Sequence, residues 1–323
     1  MSSKIKWGIL STASIGTEHV IPAMIKGEYC DIIALASRSK DAAVKVAEQF
    51  GIPRAYGSYE ELLLDPEIEA VYIPLPNHLH VPWSILALEA GKHVLVEKPI
   101  ALSSEEARKL MDETRKYPEL KVMEAFMYRH HPQWIKTKEL VDSGVIGSLK
   151  TIQASFSFFE DDPESIVNKK EYGGGSLMDI GCYPISLSRF LFNAEPKKVY
   201  ANIEIHPEFL TDTMTTVTLE FEQGTSVFFS STLMPDMQQV KVFGTEGSIE
   251  FEIPFNPKAD KPAKIWLCHG DRKEEIIFDP CDQYTIQADL FSLAILHDTP
   301  VPTPLQDAVD NMIVLERILN NVF

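Results

Sequence analysis

Cysteine is scarce in this sequence. Four stand among 323 residues, Cys30, Cys182, Cys268 and Cys281, far apart and without a Cys-x-x-Cys pair. That usage excludes a disulfide framework and a structural zinc site, and fits reduced thiols in a cytosol. Long apolar runs are missing as well: no window of about 20 apolar residues exists, so no membrane span is expected. The opening MSSKIKWGIL moves straight into a strand without basic region, apolar stretch and cleavage site, so no export signal and a cytoplasmic protein are expected. Positive charge is also short, with 30 Lys and Arg against 47 Asp and Glu and a formal charge of −17. Nucleic-acid binding needs a basic footprint, so DNA and RNA are excluded as partners. What is there is a chain with 45% hydrophobic residues, long enough for a large core and two domains.

The first part alternates strand and helix. Ile5–Leu10, Ile32–Ala36, Ala70–Pro74, His93–Val96 and Lys121–Ala125 read as strands, and Ile15–Lys26, Lys40–Phe50, Leu79–Ala90 and Ser104–Lys116 as helices. Such alternation predicts a parallel, doubly wound sheet with helices on both faces. Ser103 followed by Glu106 is a capping-box pattern that starts the fourth helix. After about residue 127 the pattern changes. A helix from Pro132 to Ser143, a strand from Leu149 to Phe159, GGGS at Gly173–Ser176 and a helix to Phe192 lead into strand after strand from Lys198 to Phe278. A hairpin is expected at Glu222–Gly224, and the whole predicts an antiparallel sheet. Two helical stretches, Tyr284–His297 and Gln306–Asn321, close the chain.

Four places carry chemistry. VLVEKPI, Val94–Ile100, is a short apolar strand ended by Pro99, which cannot donate to a ladder. The carboxyl ends of open parallel sheets face the ligand crevice, so Lys98 is either delivered to a bound molecule or is a solvated strand cap. The first strand runs into GILSTASIG, Gly8–Gly16, where a dinucleotide fingerprint has Gly-x-Gly-x-x-Gly. Ser11, Ala13 and Gly16 stand there instead, and position between strand and helix supports a cofactor loop made by Ser11, Thr12, Ala13 and Ile15. At the end of the second strand, Ser37, Arg38, Ser39 and Lys40 replace the acid that NAD-binding domains place near the ribose. Ser37 and Arg38 suit a 2′-phosphate, and a basic helix start facing solvent is the other reading. In YIPLPNHLH the prolines order the turn, and Leu75, Pro76, Asn77 and His80 stand at the crevice side, with Asn77 suited either to the nicotinamide ribose or to capping. His78 and His80 lack a third ligand, so no metal is expected.

Together, WGILSTASIG, the turn SRS, LPNHLH, VEKPI, EAFMYRHHPQ at Glu124–Gln133 and GGGSLMDIGCYP at Gly173–Pro184 resemble the glucose-fructose oxidoreductase, inositol dehydrogenase and MocA family (Gfo/Idh/MocA) over almost the whole length. Tyr183 stands where inositol dehydrogenase-like members carry histidine, so the chain is most similar to the branch of NADP-dependent xylose, dihydrodiol and glucose-fructose oxidoreductases. The resemblance implies a Rossmann domain over residues 1–126 and an α+β domain over 127–323, which binds substrate and dimerises through a large, mostly antiparallel open sheet. A homodimer or a dimer of dimers follows. It implies hydride transfer between the nicotinamide of NADP, with NAD as the second choice, and a carbonyl or hydroxyl carbon of a sugar, cyclic polyol or trans-dihydrodiol. Lys98, Tyr183 and Asp179 are then the expected catalytic residues, Glu97 and Lys98 help hold the cofactor, and Tyr128 and Arg129 border the substrate with Lys98, Asp179 and Tyr183. A phenol titrates near ~10 unperturbed, and a nearby ammonium favours its ionised form. His130 and His131 belong to the same stretch without an assigned role, and Arg129 suits a structural ion pair equally well. The competing expectation is a non-catalytic NADP(H)-binding sensor or co-regulator on the same fold.

Overall fold

A computed structural model describes residues 4–320, which divide into two compact units. The first holds the chain through Met127 together with Asp282–Val309; the second holds Tyr128–Cys281 and the chain from Asp310 on. The sequence predicts that residues 127–323 belong to the second domain. The structure moves Asp282–Val309 into the first, for a reason that lies in its core.

In the first unit β1 (Ile5–Leu10), β2 (Cys30–Ala36), β3 (Arg54–Tyr56), β4 (Ala70–Ile73), β5 (His93–Val96) and β6 (Val122–Glu124) form one sheet in the order β3-β2-β1-β4-β5-β6. Every pair is parallel. The order reverses between β1 and β4, the place where open α/β sheets bind ligands. Helices α1 (Ile21–Lys26), α2 (Lys40–Phe50), α3 (Tyr59–Leu63), α4 (His80–Glu89) and α5 (Ser104–Thr114) connect the strands. The starts follow from side chains: Ser39 accepts from Ala42 N–H and Ser103 from Glu106 N–H, while the Glu106 carboxylate accepts from Leu102 N–H at 3.1 Å. β3 and α3 escaped the sequence reading, being three and five residues long. The helix expected over Ile15–Lys26 is divided. Gly16–Val20 form a π turn in which Ile21 N–H reaches Gly16 O five residues back, and α1 follows. Pro22, which has no N–H to give, sits where the regular register would have to continue.

The second unit runs through α6 (Pro132–Asp142), β7 (Leu149–Phe159), α7 (Cys182–Phe192), β8 (Lys198–Ile205), β9 (Asp212–Glu220), β10 (Thr225–Ser231), β11 (Leu233–Gly244), β12 (Ser248–Phe251), β13 (Ala263–His269) and β14 (Arg272–Phe278). Its sheet has the order β14-β13-β12-β11-β7-β10-β9-β8. All pairs are antiparallel except β7 with β10, so the sheet is mostly antiparallel as expected: β8, β9 and β10 build a meander that returns alongside β7. The hairpin expected before Thr225 is present, closed by Phe221 N–H on Gly224 O at 2.8 Å. Among the described residues no helix is long and apolar enough to cross a membrane.

Two helices end the chain, α8 (Gln283–Leu296) and α9 (Leu305–Leu319), and the latter begins in the first unit and continues in the second. Ala288 and Phe291 of α8 are part of the same core cluster as Trp7, Ile9, Leu35 and Tyr72. Phe291 lies 5.7 Å from the Trp7 ring, and Trp7 Nε1–H donates to Ser292 Oγ at 3.2 Å. Asp289 accepts from the backbone N–H groups of Glu28 and Tyr29, which ties the helix to the start of β2. Phe291→Ala should therefore destabilise the first unit by about 3 to 5 kcal/mol, the usual range for a buried Phe. Thermal melting followed by tryptophan fluorescence reads this, and an unchanged midpoint would remove α8 from the core.

Candidate active site

In the first unit the candidate residues gather at the carboxyl edge of the sheet. Ser11 leaves β1 with φ 143°, a conformation that favours glycine, and its Oγ accepts from Ala13 N–H at 3.0 Å. A serine thus makes the tight turn normally given to glycine, at a conformational cost on the order of 1–3 kcal/mol. Thr12, Ala13 and Ile15 follow, all half-buried. A Cβ on Gly16 would meet Pro74 at 3.6 Å, an ordinary contact, so this chain does not need a glycine there for space. At the end of β2, Ser37 is buried, its N–H on Tyr56 O and its Oγ accepting from Ser39 N–H, while Arg38 is exposed. Lys40 is turned aside, its ammonium donating to Ala55 O.

The loop after β4 gives a correction. His80 was expected at the cofactor, yet its ring is 1% exposed, with Nδ1 2.8 Å from Pro99 O and Nε2 2.7 Å from Leu75 O. It staples the β4 loop to the turn that carries Lys98. Leu75 is buried too, Pro76 precedes the turn, and Asn77 opens a short 3₁₀ turn, Asn77–Leu79, ahead of α4. That Lys98 turn is held on several sides. Glu97 is buried and accepts from Tyr72 O–H at 2.5 Å, and Ile100 N–H donates to Glu124 Oε1 at 2.7 Å. Tyr284 of α8 feels the charges of Glu97 and Lys98; burial first, then Glu97, hold its phenol well above the usual range. The links of Tyr72, Glu124 and Tyr284 to the Lys98 turn were not readable in the sequence, because they join elements far apart in the chain. The lysine turn, the small-residue loop and an edge without carboxylate after β2 fit a dinucleotide.

In the second unit the glycine-rich segment meets a buried carboxylate. Asp212 Oδ2 accepts from Ser176 Oγ–H at 2.6 Å, Leu177 N–H at 2.8 Å and Thr215 Oγ1–H at 2.8 Å. A Cβ on Gly175, at φ 114°, would lie 2.1 Å from Asp212 Oδ1, so only glycine lets the carboxylate approach. Leu177–Gly181, which contain half-buried Asp179, form a second π turn that runs into α7. Tyr183, on the first turn of α7, is 5% exposed, its ring 5.7 Å from Tyr128, 5.5 Å from Phe156 and 5.3 Å from Phe255. Tyr128, expected at the substrate, is fully buried and donates its hydroxyl hydrogen to Ser186 Oγ at 2.8 Å, so the structure gives it to the aromatic core instead. Arg129 lies 4.2 Å over the Phe190 ring and donates to Ser186 Oγ at 3.3 Å. His131 caps α6, its Nδ1 accepting from Gln133 N–H, so Nε2 carries the hydrogen facing Cys281 Sγ at 3.3 Å. Among the described residues no group of three His, Cys, Asp or Glu could hold a metal ion.

Residues 5–126 match the family model described as oxidoreductase family, NAD-binding Rossmann fold, and residues 134–250 match the GFO/IDH/MocA C-terminal domain. The chain is 45% identical over 320 residues to the uncharacterized oxidoreductase ORF334 of Rhizobium meliloti, covering 97% of this chain and 96% of that protein. It is 37% identical to D-xylose 1-dehydrogenase (NADP(+)) 2 of Haloferax volcanii, over 97% of this chain and 94% of that one. Among solved structures, the 3-ketoreductase KijD10 of Actinomadura kijaniata in complex with NADP and TDP-benzene matches with a TM-score of 0.93 at 27% identity, covering 99% of this chain and 98% of that chain.

Three histidines of these units are held neutral. Burial pushes His93, His130 and His131 each down to about 4. In the unfolded chain a histidine takes its proton near ~6.5, so between these values the unfolded state binds more protons. The stability involved is complete above the unfolded value and is lost as pH falls toward 4, by up to about 1.4 kcal/mol per pH unit for each histidine. Urea unfolding should show a midpoint that drops between pH 7 and pH 5, and a flat midpoint would contradict the neutral, buried state.

Proposed function

The chain belongs to the Gfo/Idh/MocA oxidoreductase family, and from that premise we propose that it is an NADP-dependent enzyme moving a hydride between nicotinamide and a carbonyl or hydroxyl carbon of a sugar, cyclic polyol or trans-dihydrodiol. The observation that carries the reading is the Lys98 turn, pinned through Pro99, Ile100 and Glu97 at the same sheet edge as Ser11 and Arg38. When bound, the cofactor gives or accepts the hydride. Ser11, Thr12, Ala13 and Ile15 hold its pyrophosphate, and Ser37 with Arg38 holds the 2′-phosphate by charge-assisted hydrogen bonds. Glu97, with Leu75, Pro76 and Asn77, borders the nicotinamide end. The Lys98 ammonium donates to the substrate oxygen, and Tyr183 takes or returns the proton at its phenol oxygen with Asp179 beside it. Arg129 contributes at the substrate. The names of the relatives support the substrate class, a D-xylose dehydrogenase pointing to a sugar and a 3-ketoreductase to chemistry at a carbonyl carbon.

Tyr183→Phe keeps the ring and removes only the hydroxyl, so NADP binding should survive while turnover falls by about 10² to 10⁴, the range for a general acid–base group. Lys98→Met should cost at least as much, and the double variant should lose less than the sum, since groups acting as one unit are non-additive. Steady-state kinetics on the best member of a sugar and diol panel reads all three. Near-wild-type turnover of Tyr183→Phe would overturn the assignment, and wild type that binds NADPH yet turns over nothing would move the reading to the sensor.

The second unit is proposed to bind the substrate and to pair with another copy. On the sheet face opposite buried Phe228, Tyr200 and Val227 are 55% and 40% exposed and both are partnered in register with Thr218. Apolar surface of this kind marks interfaces. Light scattering at micromolar concentration should give twice the mass of one chain, or four times it, and the mass of a single chain would remove the claim.

A further inference from the structure

In the second unit, the connection between β12 and β13, residues 252–262, buries a large side chain. Phe255 is 0% exposed, and its ring meets four others: Tyr128 at 5.5 Å, Trp134 at 6.2 Å, Phe156 at 5.3 Å and Tyr183 at 5.3 Å. Connecting segments ordinarily run over the surface, because their backbone groups need water as a partner. Here three side chains take that place. Gln133 Nε2–H donates to Ile253 O at 3.1 Å and to Pro254 O at 2.9 Å, and Trp134 Nε1–H donates to Pro254 O at 2.7 Å. Gln238 Oε1, from β11, accepts from Phe255 N–H at 3.3 Å and from Asn256 N–H at 3.1 Å. Gln133 and Trp134 are fully buried themselves. Trp134 also stands edge-on to Tyr128 at 5.7 Å, so the loop is tied to the stretch that supplies another neighbour of Tyr183.

We propose that Phe255 is a positioning residue for the proton transfer, one of three aromatic walls that fix the Tyr183 ring, with the hydrogen bonds on residues 253–256 holding that wall in place. This rests on the role given to Tyr183 above. The walls come from separate elements: Tyr128 from the turn before α6, Phe156 from β7 and Phe255 from the loop, inclined to the Tyr183 ring by 45°, 65° and 57°. Tilted and edge-on pairs are favoured by the ring quadrupoles, so such neighbours set an orientation as well as fill space. A tilt of the Tyr183 ring at Cβ is magnified at its oxygen, the atom farthest from the backbone, and a reacting atom displaced by about 1 Å can cost roughly a hundredfold in rate. Phe156 is held by its sheet. Phe255 has no regular element beneath it, and there the buried donors of Gln133 and Trp134 are committed.

The test is steady-state kinetics of wild type, Phe255→Leu, Tyr183→Phe and the double variant on the best member of the sugar and diol panel, with calorimetric titration of NADP and thermal melting alongside. Leucine keeps the site apolar and removes the flat wall. Phe255→Leu should lower kcat by about ten- to a hundredfold, while KM stays within about twofold, the pattern of an effect confined to the transition state. NADP should bind as before. Without the phenol nothing is left to position, so in the Tyr183→Phe background the same substitution should cost nothing further. A wild-type kcat, a raised KM with kcat kept, or an equal loss in the Tyr183→Phe background would each overturn the proposal, the last because packing alone would then account for it. Near-wild-type turnover of Tyr183→Phe, or no turnover by wild type, would overturn the reading of Tyr183 and this proposal with it, whereas a Tyr183→Phe loss beside an unimpaired Phe255→Leu would overturn only the role of Phe255. If Phe255→Leu melts early, Gln238→Met takes its place, removing the acceptor for the Phe255 and Asn256 N–H groups from outside the aromatic cluster: a smaller loss of kcat, again absent without the phenol, is expected, and a wild-type kcat would overturn the role of the loop.

Discussion

A parallel sheet has two apolar faces, and both must be covered before its strands can be as apolar as β1, β4 and β5 are. The rest of the first unit follows from that constraint. Five crossover helices come from the chain up to Met127, but the face that exposes Trp7 is closed by residues about 280 positions later, where Phe291 and Ser292 of α8 meet the Trp7 ring and indole N–H. Closing the sheet this way brings Tyr284, at the start of the same helix, close enough to Glu97 and Lys98 to feel their charges. Core covering and the surroundings of the lysine are therefore linked, since the helix that closes the core also borders the turn bearing Lys98.

Close approach is the second theme. Two π turns occur where a helix begins next to a candidate functional segment, Gly16–Val20 after the small-residue loop and Leu177–Gly181 around Asp179. Such single turns recur at functional sites because they change the direction in which side chains leave a helix. The second is anchored from below. Asp212 gathers Ser176, Leu177 and Thr215 on one carboxylate oxygen, and a carboxylate at a helix start is favoured by the partial positive charge there. Gly175 leaves room for it. The glycines of GGGS thus act less as breakers of the preceding structure than as the space into which a strand residue reaches.

Local grammar was readable in the sequence and long-range closure was not. Five of the six parallel strands followed from alternating apolar runs and caps such as Ser103, and the loop at Ser11, the edge at Arg38 and the Lys98 turn followed from their places at strand ends. β3 and α3 were too short to show a period. The affiliation of α8 depends on Trp7, which no local pattern connects to Phe291. His80 and Tyr128 carried polar groups in promising places, and the fold consumes those groups internally, on the carbonyls of Pro99 and Leu75 and on Ser186. Polar type and strand-end position thus identify a neighbourhood, and only the count of hydrogen-bond partners decides which members face a ligand.

That count also bears on enzyme against sensor. A protein that only binds a dinucleotide needs the loop at Ser11, the edge at Arg38 and the sheet beneath them; the orientation of a lysine after β5 is then immaterial, and its turn is free to vary. Here the turn is over-determined. Pro99 O is taken by His80, Ile100 N–H by Glu124, and Glu97 by Tyr72, so three buried polar side chains from β4, α4 and β6 are committed to a segment of four residues. Buried polar groups are expensive unless fully engaged, and concentrating them around one turn is justified where a small displacement has a large consequence. Proton transfer has that property, since an error of about 1 Å in a reacting group can cost 10²-fold in rate. Nucleotide binding spread over many contacts lacks it. The internal economy of the first unit therefore favours a Lys98 that acts on a substrate.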